Sequence, residues 1–157
     1  PTVSGAGLLD RLTGEPLAVG SDPFARTRAA KALRDSVRRD LENLLNTRYR
    51  CTSWPQSARE LERSLVNYGI PDFTGAAFND PGNQREFRRV IERVIQQFEP
   101  RLQRVRVTVG EGGFARARVL HFRIDAVLKI GGALEPVAFE TALDPTTAGF
   151  SVGASGR

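Results

Sequence analysis

The stretch "QQFEPRLQRVRV", residues 96–107, changes its apolar period part-way through. Upstream, Phe87, Val90, Ile91, Val94, Ile95 and Phe98 recur at the three- and four-residue spacing of one helical face. Downstream, Val105, Val107 and Val109 alternate with Arg104, Arg106 and Thr108, the two-residue period of a half-buried strand. The join is Glu99-Pro100-Arg101. Proline disfavours the α region for the residue before it, so the helix is predicted to end at Glu99. That change of period divides the chain into helices before residue 100 and sheet after it.

Toward the N-terminus, Asp22-Pro23 reads as an N-cap followed by proline at the first helical position. Ala30, Leu33, Val37, Leu41, Leu44 and Leu45 then follow helical spacing to about Asn46. Arg38 and Glu42, and Asp35 and Arg39, sit four apart on the other face. "YRCTSWPQ", residues 49–56, breaks the pattern. Ser57-Ala58-Arg59-Glu60 has the spacing of a capping box and predicts a short second helix through Leu61 and Leu65, stopped at Tyr68-Gly69. Asp80-Pro81 opens the third helix as Asp22-Pro23 opens the first. Residues 1–21 read as an extended arm carrying "LLDRL", residues 8–12. Its Leu8, Leu9 and Leu12 can share one helical face, either tucked onto the domain or offered to a partner.

Toward the C-terminus, Glu111-Gly112-Gly113 reads as a turn and residues 115–130 as a long strand, with Leu120, Phe122, Ile124, Ala126, Leu128 and Ile130 on one face. Gly131-Gly132 turns the chain again, and Val137, Phe139, Thr141 and Leu143 predict a third strand. Pro136 cannot donate to a ladder, which pushes that strand toward an edge. Residues 146–157 are small and polar and read as a flexible tail. The expected fold is α+β: three N-terminal helices packed on one face of a C-terminal antiparallel meander of about three strands, within a single domain over residues 22–145.

The composition agrees with a folded domain, 40% hydrophobic and 26% charged with nine phenylalanines in 157 residues. The net charge is +5, and of 23 basic residues only Lys31 and Lys129 are lysines. Arginine suits flat bidentate contacts to carboxylates or phosphates, but a solvated basic surface accounts for the charge equally well. Cys51 is alone, so no internal disulfide forms. "PTVSGAGLLDRL" has no basic stretch followed by an apolar one, so no secretory signal is expected, and the longest apolar run is too short to span a bilayer, so no membrane insertion is expected.

Reactive constellations are thin. His121 is the one histidine, and one Cys and one His without ligand spacing do not make a zinc site. No Walker sequence or GxGxxG occurs, and "GEGG" at 110–113 lies between strands, so no cofactor is expected. A glycosidase needs two acids at a set separation, and nothing in the spacing of Glu99, Asp125, Glu135 and Glu140 selects a pair. Arg104, Arg106, Arg116, Arg118 and Arg123 could form a basic sheet face for nucleic acid. Single-strand binders interleave such charge with stacking aromatics, whereas Phe122 and Phe139 sit on apolar faces.

At the join, the macrodipole disfavours a carboxylate at a helix C-terminus and favours a cation. Glu99 therefore needs a partner. Arg101 across the proline would make a local latch, and a basic group on another protein would make a docking site. Both readings are open on the residues alone.

"DLENLLNTR" (40–48), "SLVNYGIPDF" (64–73) and "EPRL" (99–102), with "LLDRL" near the start, resemble the lysozyme-like baseplate-wedge family of contractile injection machines, nearest its type VI secretion branch. The resemblance runs from about Leu8 to about Asp144, and it implies a cytoplasmic structural subunit at an inner-membrane-docked apparatus, not an enzyme. It implies contact with the paired wedge subunits TssF and TssG through Glu99, Pro100 and Arg101, with both charges presented outward. TssK is a further implied partner. It also implies that the sheet templates the sheath of TssB and TssC by accepting strands at an edge, from residues 102–109 or 134–143. Leu8, Leu9, Leu12, Arg104 and Arg106 complete the expected partner-binding set. A nucleic-acid-binding module and a peptidoglycan-active lysozyme-like enzyme are the rival readings; the resemblance calls for no nucleic acid.

Overall fold

The structure, a computed structural model, describes residues 23–49, 60–61, 64–73, 80–109, 119–130, 133–144 and 146–154. Helix α1 spans Pro23–Asn46 and α2 spans Pro81–Phe98. Four strands follow: β1 Leu102–Val109, β2 Leu120–Ile130, β3 Ala133–Asp144 and β4 Gly149–Ala154. They form one antiparallel sheet in the order β1-β2-β3-β4.

The helices form where their apolar stripes and caps dictate. In α2 the Asp80 side chain accepts from the Asn83 N–H at 3.1 Å, with Pro81 at the start. Phe87, Ile91, Val94 and Ile95 are buried, one face of the helix. Glu99 leaves the helix at φ −122° and ψ 77°, as a residue before proline should, while its N–H still donates to the Ile95 carbonyl at 2.8 Å. In α1, Leu33, Val37, Leu41, Leu44 and Leu45 are buried against the sheet face made by Phe122, Ile124, Leu128 and Phe139. A chain of edge-to-face rings, Phe73–Phe87–Phe122–Phe150, runs through this core with centroids 5.1, 5.5 and 6.1 Å apart.

Three sequence expectations are corrected. Instead of a second helix through Leu61 and Leu65, the described residues hold a 3-10 turn at Leu65–Asn67. Ser64 accepts from the Val66 N–H, and the Asn67 amide donates to the Leu61 carbonyl at 2.6 Å. Such local side-chain bonds compete with helix propagation, and Leu65, 80% exposed, is not a core residue. The proposed cap at Ser57 lies outside the described residues, as do Asp22, Cys51, the turn at 111–113 and the strand residues predicted before 119.

Second, the sheet has four strands, because the predicted flexible tail contains β4. Asp144 Oδ1 accepts from the Thr146 N–H at 2.8 Å, and Thr147 Oγ1 from the Gly149 N–H at 3.3 Å. These bonds turn the chain back onto β3 and bury Phe150 and Val152. Third, β3 lies inside the sheet over Phe139–Asp144 and, among the described residues, is an edge only over residues 133–138, beyond Ala154. Pro136 falls in that unpaired half, so the proline inference holds locally.

Strand β1 is irregular. Its register on β2 shifts between Gln103 and Arg106, leaving Arg104 and Val105 opposite one residue of β2. Arg104 adopts φ 53°, a left-handed conformation that side chains other than glycine take at a cost. The bulge lets Leu102 and Val105, three apart, both face inward.

Candidate interaction site

The three stretches that carry the family resemblance lie far apart in the chain and meet at the end of α2. Asp40 comes from the first, Tyr68 from the second, and Glu99 and Arg101 from the third. Helical spacing puts Ser36 and Asp40 on one row of α1, facing the turn where Pro100 reverses the chain. Arg101 Nε donates to Glu99 Oε1 at 2.6 Å, and Nη2 donates to Glu99 Oε2 and to Asp40 Oδ2. The Arg101 N–H also donates to Glu99 Oε1, at 3.3 Å, and Nη1 reaches Ser36 Oγ at 3.4 Å. One guanidinium thus ties the end of α2 to the middle of α1 while gripping the acid two residues before it.

The environment is enclosed. Glu99 is 5% exposed, and the Arg101 side chain 14%. Burial works against the Arg101 charge, but hydrogen bonds and Coulomb attraction from Glu99 and Asp40 outweigh it and hold its affinity for a proton above that of an ordinary arginine. The Tyr68 ring packs edge-on against Phe98 at 5.3 Å. Burial, then the charges of Asp40 and Glu99, raise the Tyr68 hydroxyl above the usual tyrosine range.

The two charges of the triplet therefore face each other and α1; they are not presented outward as the sequence reading expects. Exposed at this corner are Pro100 and, a few residues on, Arg104 and Arg106. Neither arginine has an ion-pair partner among the described residues. Leu8, Leu9 and Leu12 lie outside the described residues.

The second stretch is fastened to the first by a short parallel bridge between Arg48 and Ile70. The Ile70 N–H donates to the Thr47 carbonyl at 2.9 Å, and the Tyr49 N–H to the Ile70 carbonyl at 3.3 Å. Gly69 makes this approach with φ 117°, where a Cβ would stand 2.4 Å from the Thr47 oxygen.

The remaining candidates for chemistry resolve into structure. Each acid considered for hydrolysis faces an arginine: Glu99 faces Arg101, Asp125 faces Arg123 at 2.8 Å, Glu140 faces Arg123 at 3.5 Å, and Glu135 faces Arg34 at 2.5 Å. Arg123 is thereby engaged by two carboxylates on the sheet face considered for nucleic acid; Arg116 and Arg118 lie outside the described residues. His121 is exposed on β2 opposite Ala142. No group of three or more His, Cys, Asp or Glu able to hold a metal occurs among the described residues. No described helix is long and apolar enough to cross a membrane.

A feature missed from the sequence is the outer side of β4. Its backbone bonds to side chains of α1. Asn46 bonds both the N–H and the carbonyl of Phe150, at 2.9 and 2.8 Å. Arg38 donates to the Val152 carbonyl at 3.1 Å, and Glu42 accepts from the Val152 N–H at 3.4 Å. Arg48 donates to the Ala148 carbonyl at 2.5 Å and lies over the Phe150 ring, its charged form disfavoured by burial. The four-residue spacing of Arg38 and Glu42 was legible as helix pairing, but their row with Asn46 was not legible as a strand mimic.

Residues 31–132 match the family model described as "Baseplate wedge protein gp25". Among solved structures, a chain of "The baseplate complex from the type VI secretion system" superposes with a TM-score of 0.52 at 24% identity, over 71% of this chain and 93% of that one, which shows a shared fold. No curated protein sequence matches the chain.

Proposed function

The chain belongs to the baseplate wedge protein gp25 family, and on that premise we propose that it is a non-enzymatic structural subunit of a type VI secretion baseplate wedge, in the TssE position. The observation that carries the proposal is the convergence of Asp40, Tyr68, Glu99 and Arg101, from three separated stretches, on one braced corner inside the matched region. The solved neighbour belongs to such a baseplate, which supports the same system.

The corner docks to TssF and TssG. The Glu99–Arg101–Asp40 network fixes its angle, so a partner meets a surface whose ordering cost is already met. Pro100, Arg104 and Arg106 supply the contacts, with Leu8, Leu9 and Leu12 of the N-terminal arm as a second, apolar one. TssK lies within reach of the same wedge. The sheet accepts strands of the sheath subunits TssB and TssC at an edge, in backbone register. The subunit works on the cytoplasmic side of the inner membrane, without inserting.

Co-purification with TssF and TssG tests the docking. Arg104→Glu with Arg106→Glu keeps the circular dichroism of the wild type and loses TssF and TssG; undiminished capture removes the corner from the interface. Clearing of a peptidoglycan suspension by the purified protein would instead favour the enzyme, and a DNA or RNA shift falling steeply with salt the nucleic-acid module.

A further inference from the structure

The strand edges of this sheet are guarded unequally. At β4, the outward N–H and carbonyl groups of Phe150 and Val152 are bonded to Asn46, Glu42 and Arg38. Because those two residues face α1, the alternation of an antiparallel ladder turns Glu140, Ala142 and Asp144 of β3 toward β4. The same alternation carries the backbone groups of Leu134, Pro136 and Ala138 to the side that no described residue covers beyond Ala154. Pro136, which has no N–H, stands at the centre of that edge and deprives an incoming strand of a donor.

Strand β1 differs. On its outer side the Val107 N–H donates to Glu92 Oε1 of α2 at 2.8 Å. Val109 faces the same way by alternation. Among the described residues a single carboxylate therefore stands where β4 has a row of side chains and β3 a proline. One carboxylate swings aside more readily than the three side chains that hold β4 let go together, and water solvates it when it leaves. Beside this edge Arg104 and Arg106 are exposed and without ion-pair partners among the described residues.

The geometry points to the outer edge of β1, over Val105–Val109, as the strand-accepting edge, with the Glu92 carboxylate as its gate. The incoming segment is an extended stretch of a sheath subunit, entering beside the corner at which Arg104 and Arg106 meet the wedge partners. Its carbonyl takes over the Val107 N–H as Glu92 turns to water. This assignment rests on the strand-addition reading above; it adds which edge is used and what must move.

Two variants separate the edges in wedges reconstituted with TssF, TssG and the sheath subunits. Val107→Pro removes the outward donor without touching the β1–β2 ladder. It is expected to keep wedge co-purification and lower the number of sheaths seen by electron microscopy at least tenfold. Leu134→Pro, on the β3 edge, is expected to match wild type. The opposite pattern overturns the choice of β1. Undiminished sheaths in both variants overturn the strand-addition reading itself.

Should Val107→Pro fail to fold by circular dichroism, Glu92 decides. Glu92→Ala frees the Val107 amide, which then exchanges its hydrogen about fivefold faster, the weight of one ordinary hydrogen bond, and sheaths start sooner. Glu92→Gln keeps an acceptor oxygen and restores wild-type behaviour. Sheath initiation unchanged or slowed in Glu92→Ala overturns the gate.

Discussion

Asn46 treats Phe150 as a neighbouring strand would: its amide donates to the Phe150 carbonyl at 2.8 Å and accepts from the Phe150 N–H at 2.9 Å. The row works because four residues of helix advance about 6 Å and two residues of strand about 6.7 Å. Arg38, Glu42 and Asn46 thus stay in step with Val152 and Phe150. A sheet edge that would otherwise pair with another chain is closed by a helix of its own domain.

Replacing Asn46 by alanine exposes the cost of that closure. Asn46→Ala is expected to lower stability by about 1–2 kcal/mol, since a donor and an acceptor of a buried residue lose their partner together. Amide exchange in β4 should speed while β2 stays protected. Equal β4 exchange in variant and wild type would show that the row is incidental.

The Glu99–Arg101 pair should matter to the isolated subunit before any partner is present. Glu99→Ala removes both oxygens that Arg101 grips and leaves the cation to Asp40, at a cost of about 3 kcal/mol. Arg101→Lys loses the flat fit to the carboxylate and costs less. The double change Glu99→Ala with Arg101→Ala should cost less than the sum of the single ones. Urea unfolding of the purified subunit measures all of these; wild-type stability in Glu99→Ala would make the pair a docking element alone.

Arg104 offers the reverse case, a gain in stability. Its φ of 53° suits glycine. Arg104→Gly is expected to stabilise the fold by up to about 1 kcal/mol and raise Tm by a few degrees. A falling Tm would mean that the arginine side chain contributes more than the strain removes.

Alkaline stability should report Tyr68. Burial and the charges of Asp40 and Glu99 raise its hydroxyl above the ordinary value of 10.0. The folded state therefore holds that proton over a window in which the unfolded chain has released it. Stability is full below about pH 10 and falls as pH rises through the folded value. Tyr68→Phe should flatten this part of the denaturation-against-pH curve; an unchanged slope assigns it to other groups.

Much of the domain was legible in local sequence. The stripe from Phe87 to Phe98, the Asp80-Pro81 start and the stop before Pro100 are neighbour effects, and α2 has the bounds they imply. The apolar face of β2 followed from strict alternation. Strand β4 was missed because Gly149, Ser151 and Gly153 have weak strand propensity, and Phe150 with Val152 is too short a pattern to outweigh them. Leu61 and Leu65 misled because two leucines four apart do not by themselves make a buried helical face, and both are exposed.

By itself the sequence determined where the chain changes from helix to strand, which side chains fill the core, and that Glu99 required a cation. Those outcomes depend on period, caps and proline, which act between residues close in the chain. Tertiary structure alone decided that the cation is Arg101 braced by Asp40, that α1 seals β4, and that Glu92 guards β1. Each of these joins groups brought together only when α1, α2 and the sheet pack, and no short-range rule sets the angle at which they meet.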